Sequence, residues 1–340
     1  MTIPEDMIAI AISAPGGPEV LHPRREPVPV PGPGEVLIRV AAAGVNGPDL
    51  AQRMGEYAPP PGASPLPGLE VAGEIAARGE GVLEFETGEP VMALCNGGGY
   101  AEFVVVPAGQ VLPMPNGWSF AEAAALPETW FTVTQTLVMR AGLAPGMHVL
   151  VHGASGGIGG AAIQIAHNLE ASAIGVVSSP TKADYCLALG ASAVIDRSSE
   201  DIVERVKQLT GGRGVDRVVD IVGGDMARTN VEASARGGHI VQISTLEGGN
   251  AKVPLRQMMA KDLTLSASTL RPQPAATKAA IAQRIRTDFL PALAAPGFIK
   301  PRVTTFDLEH ASDAHRLMES RNHQGKLVLL TAFGAEENAS

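Results

Sequence analysis

The run His148-Val149-Leu150-Val151-His152 passes directly into Gly153-Ala154-Ser155-Gly156-Gly157-Ile158-Gly159 and then into an apolar stretch with Ala161, Ala162, Ile163 and Ile165. No other feature restricts the fold as tightly. A strand, a glycine-rich turn and a helix in that order form a dinucleotide fingerprint. The glycines let backbone approach a pyrophosphate, and the helix N-terminus faces the anion. Ser155, Gly156, Gly157 and Ile158 are therefore candidate cofactor-binding residues. Gly156 permits the close approach, and Gly159 permits close packing of helix on strand. Ala154 stands where the usual motif begins with glycine.

The segments that follow repeat the alternation. Apolar, β-branched runs occur at 173–177, 193–195, 215–222, 239–243 and 263–267. Helical patterns lie between them at 158–169, 182–189, 199–209 and 226–235. Short apolar strands separated by helices predict an α/β fold with a doubly wound parallel sheet of the Rossmann kind. Ligands of such sheets bind at the carboxyl ends of the strands. That rule adds Val222, Ile243, Ser244, Thr269 and Leu270 to the candidate cofactor crevice, with Arg271 beside them.

The second strand ends in Ser178-Ser179-Pro180-Thr181-Lys182, where an NAD-binding unit carries an Asp or Glu for the ribose hydroxyls. Hydroxyls and a cation suit a 2′-phosphate instead. Ser178, Ser179 and Lys182, with Arg197 just past the third strand, predict NADP(H) as cofactor.

Outside this region the texture differs. Residues 1–120 hold 18 of the 39 Gly and 18 of the 27 Pro, so long helices are excluded there and short strands are expected. Ser119 and Glu122 form a capping-box pair ahead of a short helix, Pro127 interrupts it, and a second helix is expected over 129–140. Strands at 303–306 and 326–330 flank a helix at 308–319, as if the chain returned to its first domain. The expected division is a β-rich catalytic and substrate domain of 1–126 and 301–340, and a dinucleotide-binding domain of 127–300.

Composition narrows the function classes. Two cysteines, Cys95 and Cys186, exclude a disulfide scaffold and any zinc site built from three or four thiolates. A net charge of −9 argues against nucleic acid as a partner. No apolar run reaches the roughly 18–20 residues of a membrane span, and the acidic start lacks the order of a signal peptide. A soluble cytoplasmic protein is expected. The polar tail over 335–340 is expected to fray.

Several blocks, in order, resemble the medium-chain dehydrogenase/reductase superfamily and, within it, the zinc-independent quinone oxidoreductases. They are Pro31-Gly32-Pro33-Gly34-Glu35-Val36-Leu37-Ile38, Asn46-Gly47-Pro48-Asp49-Leu50, Gln52-Arg53-Met54-Gly55-Glu56-Tyr57, Gly68-Leu69-Glu70-Val71-Ala72-Gly73, Ala124-Ala125-Leu126-Pro127-Glu128-Thr129-Trp130, Gly214-Val215-Asp216 with Asp220, and Gly325-Lys326-Leu327-Val328-Leu329. The resemblance implies a GroES-like β-rich catalytic domain beside the Rossmann domain. The alcohol dehydrogenases of that superfamily hold catalytic zinc through a Cys and a His at the positions of Asn46 and Leu69. Leucine cannot ligate a metal, and Asn is a poor zinc ligand. No metal site is expected. His310 and His315, five residues apart on an expected helix, are taken as surface residues, and His148 and His152 as structural.

Without a Lewis acid, substrates that accept hydride readily become the expectation: quinones, or enones polarised by a carbonyl. The resemblance places Asn46 in the cleft close to the nicotinamide, as a catalytic hydrogen-bond donor to the acceptor and a cofactor contact. It also matches Thr132 to a threonine that touches the nicotinamide. Tyr57 is the second catalytic candidate, as a phenol donor or a stacking ring. Asp49 is taken as a helix N-terminal charge and Trp130 as packing. The apolar edge strand over 263–269 needs cover, and in this family it pairs across a two-fold axis, so a homodimer is expected. The expected function is NADPH-dependent quinone reduction. The alternatives are an NADPH-dependent 2-enoyl or alkenal reductase and, from another class, an NADPH-binding structural or regulatory protein.

Overall fold

The computed structural model describes residues 2–338. Its strands in chain order are β1 (Asp6–Ile12), β2 (Leu21–Pro27), β3 (Glu35–Val45), β4 (Glu70–Arg78), β5 (Pro90–Leu94), β6 (Phe103–Pro107) and β7 (Val111–Pro113), then β8 (His148–His152), β9 (Ser172–Val177), β10 (Ala193–Asp196), β11 (Val215–Asp220), β12 (Ser234–Gln242) and β13 (Thr264–Ala267), and finally β14 (Val303–Asp307) and β15 (Lys326–Leu330). The chain forms two compact units. One comprises residues up to Phe131 and from Arg271 onward, and the other is Thr132–Leu270.

The second unit is the parallel sheet anticipated from the alternating pattern. Its strand order is β10-β9-β8-β11-β12-β13, with every pairing parallel. Between β8 and β11 the direction of strand addition reverses, which opens a crevice at their carboxyl ends. Leu150, Ile174, Val176, Ile195, Val218 and Ile240 from the strands and Val206 and Val231 from the helices form one buried cluster. The helix expected from residue 199 starts instead at Ile202, because the Asp201 carboxylate takes the Glu204 N–H at 2.9 Å and fixes the N-terminus there.

The helix expected over 129–140 is two pieces. An α-helix covers Pro127–Val133, with Pro127 opening it, and a π-helical turn covers Thr134–Arg140. At the change, the Thr136 hydroxyl donates to the Thr132 carbonyl at 2.7 Å, a back-bond that bends helices.

The first unit is β-rich. A seven-stranded sheet runs β14-β15-β3-β4-β5-β7, with β6 also on β3, and β1 pairs with β2 separately. The two ends of the chain meet where β15 lies antiparallel to β3, Leu327 opposite Val45. The Ser119–Glu122 capping box forms as expected, with reciprocal bonds of 3.2 and 2.8 Å.

The unit boundaries differ from those drawn at 126/127 and 300/301. Residues 271–300 pack with the β-rich unit, because the helix Ala275–Asp288 buries Ile281, Ala282 and Ile285 there. Just beyond it, Phe289 meets the Trp130 ring edge-on at 5.6 Å, and the Trp118 indole donates to the Leu293 carbonyl at 3.0 Å. Two further expectations are corrected. Residues 332–338 form a helix rather than a frayed tail, anchored by Phe333 under the Arg39 guanidinium, while residues 339 and 340 lie outside the described residues. His315 is fully buried, whereas His310 is exposed.

Gly159 carries the helix-on-strand contact. A Cβ there would lie less than 3 Å from the Gly153 carbonyl oxygen and the Ala154 Cα, both backbone atoms. Gly159→Ala is expected to cost about 1–3 kcal/mol, read by chemical denaturation. An unchanged midpoint would show that the turn has room to relax.

Candidate functional site

In the second unit the predicted cofactor residues gather at the carboxyl edge of the sheet. The turn after β8 carries Ser155. Gly156 is the N-cap of the helix Gly157–Asn168 and has extended backbone, with no side-chain cap on the first turn. The amides of the helix's first turn, including those of Gly157 and Ile158, are the natural partners for an anion. Ser178 and Ser179 follow β9, and the Arg197 amide donates to the Val177 carbonyl at 3.0 Å, so Arg197 lies next to Ser178. The Lys182 ammonium reaches the Ser178 hydroxyl at 3.5 Å. Arg197 also pairs with Glu247 at 3.3 Å, with both side chains substantially exposed.

Val222, Ile243, Ser244, Thr269 and Leu270 all follow strand ends on that edge. A buried network not singled out from sequence holds two of them. The Asp220 carboxylate accepts from the Val222 and Gly223 amides at 2.6 and 3.1 Å and from the Asn230 amide at 2.7 Å. Asn230 in turn meets His152 Nε2 at 2.7 Å, and the Ile243 amide bonds the Asp220 carbonyl at 2.8 Å. Burial holds the His152 imidazole below the usual histidine range. Thr132 is buried, at the start of this unit. Arg271 belongs to the other unit and is not part of this edge.

In the first unit Asn46 sits in a buried polar centre. Asn46 follows β3 and caps the helix Gly47–Arg53. Its amide donates to Glu70 Oε1 at 2.8 Å, and its carbonyl oxygen accepts from the Lys326 ammonium. Lys326 also binds Glu70 Oε1 at 2.6 Å and the Val45 carbonyl at 3.2 Å. Glu70 and Lys326 are 0% and 4% exposed, so this is a closed ion pair. Gly44 makes the room for it: a Cβ at that position would overlap the Glu70 carboxylate and crowd the Ala124 carbonyl. The second Glu70 oxygen takes the Glu128 amide at 2.8 Å.

Asp49 holds the loop ends together, accepting the Asn46 and Gly68 amides at 2.9 Å each. Burial outweighs those two bonds and pushes its carboxyl up to about 6. Behind it, the Tyr100 hydroxyl meets His315 Nε2 at 3.1 Å, and Arg53 stands between His315 and Glu319. Burial beside Arg53 holds His315 down at about 3, so it is neutral.

Tyr57 and Asn46 flank a helix of seven residues, about 10 Å long at 1.5 Å per residue. One neighbour of Tyr57 is Arg271, whose guanidinium lies 5.7 Å from the ring centre. Arg271 donates to the Asn96 carbonyl at 2.9 Å and to Gln52 Oε1 at 2.7 Å, and is 4% exposed. Its Nη2 is a buried donor without an acceptor among the described residues. The Lys278 ammonium bonds the Arg271 carbonyl at 2.6 Å and also Asn96 Oδ1. Burial lowers Lys278 to about 8.

Sequence reasoning quoted Glu70, Glu128 and Lys326 only as parts of resembling blocks and passed over Lys278 and Asn96. One signal was available. Glu70 opens β4 ahead of the apolar run Val-Ala-Gly, and Lys326 opens a strand that is otherwise apolar, Lys-Leu-Val-Leu-Leu; opposite charges in such places call for each other.

Comparison with known proteins supplies the family context. The alcohol dehydrogenase GroES-like domain family matches residues 32–116, and the zinc-binding dehydrogenase family matches residues 157–284. The chain is 32% identical to the quinone oxidoreductase of Rattus norvegicus over 328 residues, covering 95% of this chain and 98% of that protein. The Escherichia coli quinone oxidoreductase crystallised with NADPH superposes with a TM-score of 0.80 at 30% identity, over 96% of this chain and 99% of the other. The crystal structure of an NAD-dependent alcohol dehydrogenase superposes with a TM-score of 0.81 at 33% identity, over 95% of this chain and 99% of the other.

The buried pair yields a direct test. Lys326→Met leaves Glu70 as an unpaired interior charge and is expected to cost about 3–5 kcal/mol, measured by denaturant unfolding. Adding Glu70→Gln is expected to restore part of that loss. A Lys326→Met protein as stable as the parent would show that water reaches the Glu70 carboxylate.

Proposed function

We propose that this chain, which belongs to the medium-chain dehydrogenase/reductase superfamily and within it to the quinone oxidoreductase branch, reduces quinones with NADPH and without zinc. The observation that carries the reading is the Asn46–Glu70–Lys326 centre. At one of the two positions where, by the resemblance, related dehydrogenases carry zinc ligands, this chain has Asn46, whose side chain is engaged with Glu70 and with the Lys326 ammonium. Buried Leu69 supplies no ligand atom. A tethered ammonium with its donors already engaged does not polarise an alcohol as a Lewis acid does. Electron-poor acceptors need no such help.

The cofactor residues fit NADPH. The uncapped helix start at Gly156 suits the pyrophosphate, and Ser178, Ser179 and Lys182 suit the 2′-phosphate, with no carboxylate among residues 178–182 to oppose it. Arg197 joins them by exchanging its exposed Glu247 partner, a pair worth no more than about 1 kcal/mol. Val222, Ile243, Ser244, Thr269 and Leu270 line the rest of the crevice, with Thr132 toward the nicotinamide. NADPH, when bound, supplies the hydride. The protein's part is to position the acceptor, exclude water and stabilise charge growing on its oxygen. Asn46, held rigid by two partners, contacts the nicotinamide end. Tyr57 offers a ring and a phenol, and the open Nη2 of Arg271 offers a charged donor beside it.

β13 ends the sheet and Leu265 on it is 43% exposed, which supports the pairing of two copies along that edge. No helix among the described residues is long and apolar enough to cross a membrane. A second reading, an NADPH-dependent enone reductase, is favoured by one observation: a buried carboxyl, Glu128, adjoins the polar centre. Reduction of an enone leaves an enolate carbon that needs an acid.

NADPH oxidation is to be followed with 1,2- and 1,4-quinones, then enones and enoyl thioesters. Turnover is expected with quinones. Turnover with enoyl thioesters alone would replace the quinone reading, and tight NADPH binding without turnover would favour a regulatory role. Separately, Lys182→Ala is expected to weaken NADPH by about 1.5–3 kcal/mol, roughly 10- to 150-fold in Kd, and to leave NADH nearly unchanged. Equal losses would place the 2′-phosphate elsewhere.

A further inference from the structure

Three carboxyl groups meet in the polar centre of the first unit, and their surroundings differ. Glu70 is bonded to an ammonium, an amide side chain and a backbone N–H. Asp49 accepts two backbone N–H groups. The Glu128 carboxyl has neither, since no hydrogen bond to it is found among the described residues. Its place is nevertheless fixed. Its own N–H is bonded to Glu70 Oε2, it stands in the first turn of the helix Pro127–Val133, and the residue is 8% exposed. The same Glu70 carboxylate binds Asn46, so Glu128 and Asn46 are held by one anchor.

We propose that Glu128 is the acid that delivers a proton to the reduced acceptor. The inference rests on the hydride-transfer reading above and adds the missing proton donor to it. The balance is simple. Hydride brings one hydrogen and two electrons to the quinone, leaving a hydroquinone monoanion. The Glu128 O–H bond breaks, an O–H bond forms on the anionic oxygen, and the Glu128 carboxylate later regains a proton from water. For an enone the new bond is C–H at the enolate carbon.

The charges facing Glu128 explain both halves of that cycle. Burial, with Glu70 and Asp49 opposing its ionisation, pushes its carboxyl up to about 8, so it carries its proton at neutral pH. Lys326 on β15, and Lys278 and Arg271 from the segment after the second unit, lie close enough to stabilise the carboxylate once the proton has gone. Cys95 also faces it, with a thiol pushed far up by burial and by the same carboxylates, so it stays neutral. An acid with a value near the working pH, among cations that accept its conjugate base, is what general acid catalysis requires.

Glu128→Gln keeps the shape and removes the proton, so it is the variant of choice. The wild-type kcat on a quinone is expected to fall as pH rises through about 8, where Glu128 loses its proton. Glu128→Gln is expected to lose roughly 100-fold or more in kcat with KM little changed, and to show no fall in that range. Infrared difference spectra of the cofactor-free protein, wild type minus Glu128→Gln, are expected to show a protonated carboxyl band at pH 7 that disappears above pH 9. A Glu128→Gln enzyme with wild-type kcat and the same pH profile would overturn the proposal while quinone turnover stood. So would an infrared signature of an ionised Glu128 at pH 7. Absence of turnover by the wild type on every acceptor would defeat the proposed function itself, and this inference with it.

Discussion

The first unit is organised around one ion pair. Glu70 at the start of β4 and Lys326 at the start of β15 are 256 positions apart and meet at 2.6 Å in the interior. Burying two charges is costly unless geometry is good and the remaining hydrogen-bonding capacity is used. Each demand fixes part of the structure. Gly44 must lack a side chain so that the carboxylate fits, Asn46 must bridge both partners, and the Glu128 amide must close the second oxygen. The register of β15 on β3 and the entry into the helix Gly47–Arg53 follow from the same point. The pair is thus less a source of stability than a specification of which strand ends must coincide.

Around that anchor, environment divides the labour among like groups. Glu70 is committed to an ammonium, an amide side chain and a backbone N–H. Asp49 ties two loop amides together. Glu128, lacking a hydrogen-bond donor of its own, keeps its proton. The second unit uses the same principle with a different group, since Asp220 is fully occupied in holding the turn at Val222 and Gly223, with Asn230 and the neutral imidazole of His152 behind it. In both units buried polar groups that are fully bonded set geometry, and those left open are where ligand chemistry is available.

The parallel sheet was legible because its signal is local. Residues 148–159 carry strand, turn and helix start in one contiguous stretch, and period and glycine placement suffice. The candidate residues at the strand ends followed from the carboxyl-end rule. The polar centre was not legible, because its members, at 46–49, 70, 128 and 326, come from separate segments and only folding brings them together. His315 shows why. On helical spacing alone it passes for a surface residue, yet it is buried against Tyr100 and Arg53, neither of which is near it in sequence. Arg271 was placed by its distance from the sixth strand. Its packing instead follows the helix Ala275–Asp288, whose apolar face belongs to the β-rich unit. The π turn at Thr134–Arg140 escaped for a different reason, since apolar periodicity does not distinguish one helical hydrogen-bond pattern from another.

The split of the β-rich unit across the chain bears on the order in which the molecule is made. During synthesis Glu70 emerges long before Lys326, while the whole of the parallel-sheet unit is translated between them. Until residues 326–330 arrive, β3 lacks a neighbour and an interior carboxylate lacks its cation. The inserted unit has a core of its own, and domains generally fold as units during synthesis. The buried pair at the centre of the first unit is completed only by Lys326, a residue translated after the whole of the parallel-sheet unit.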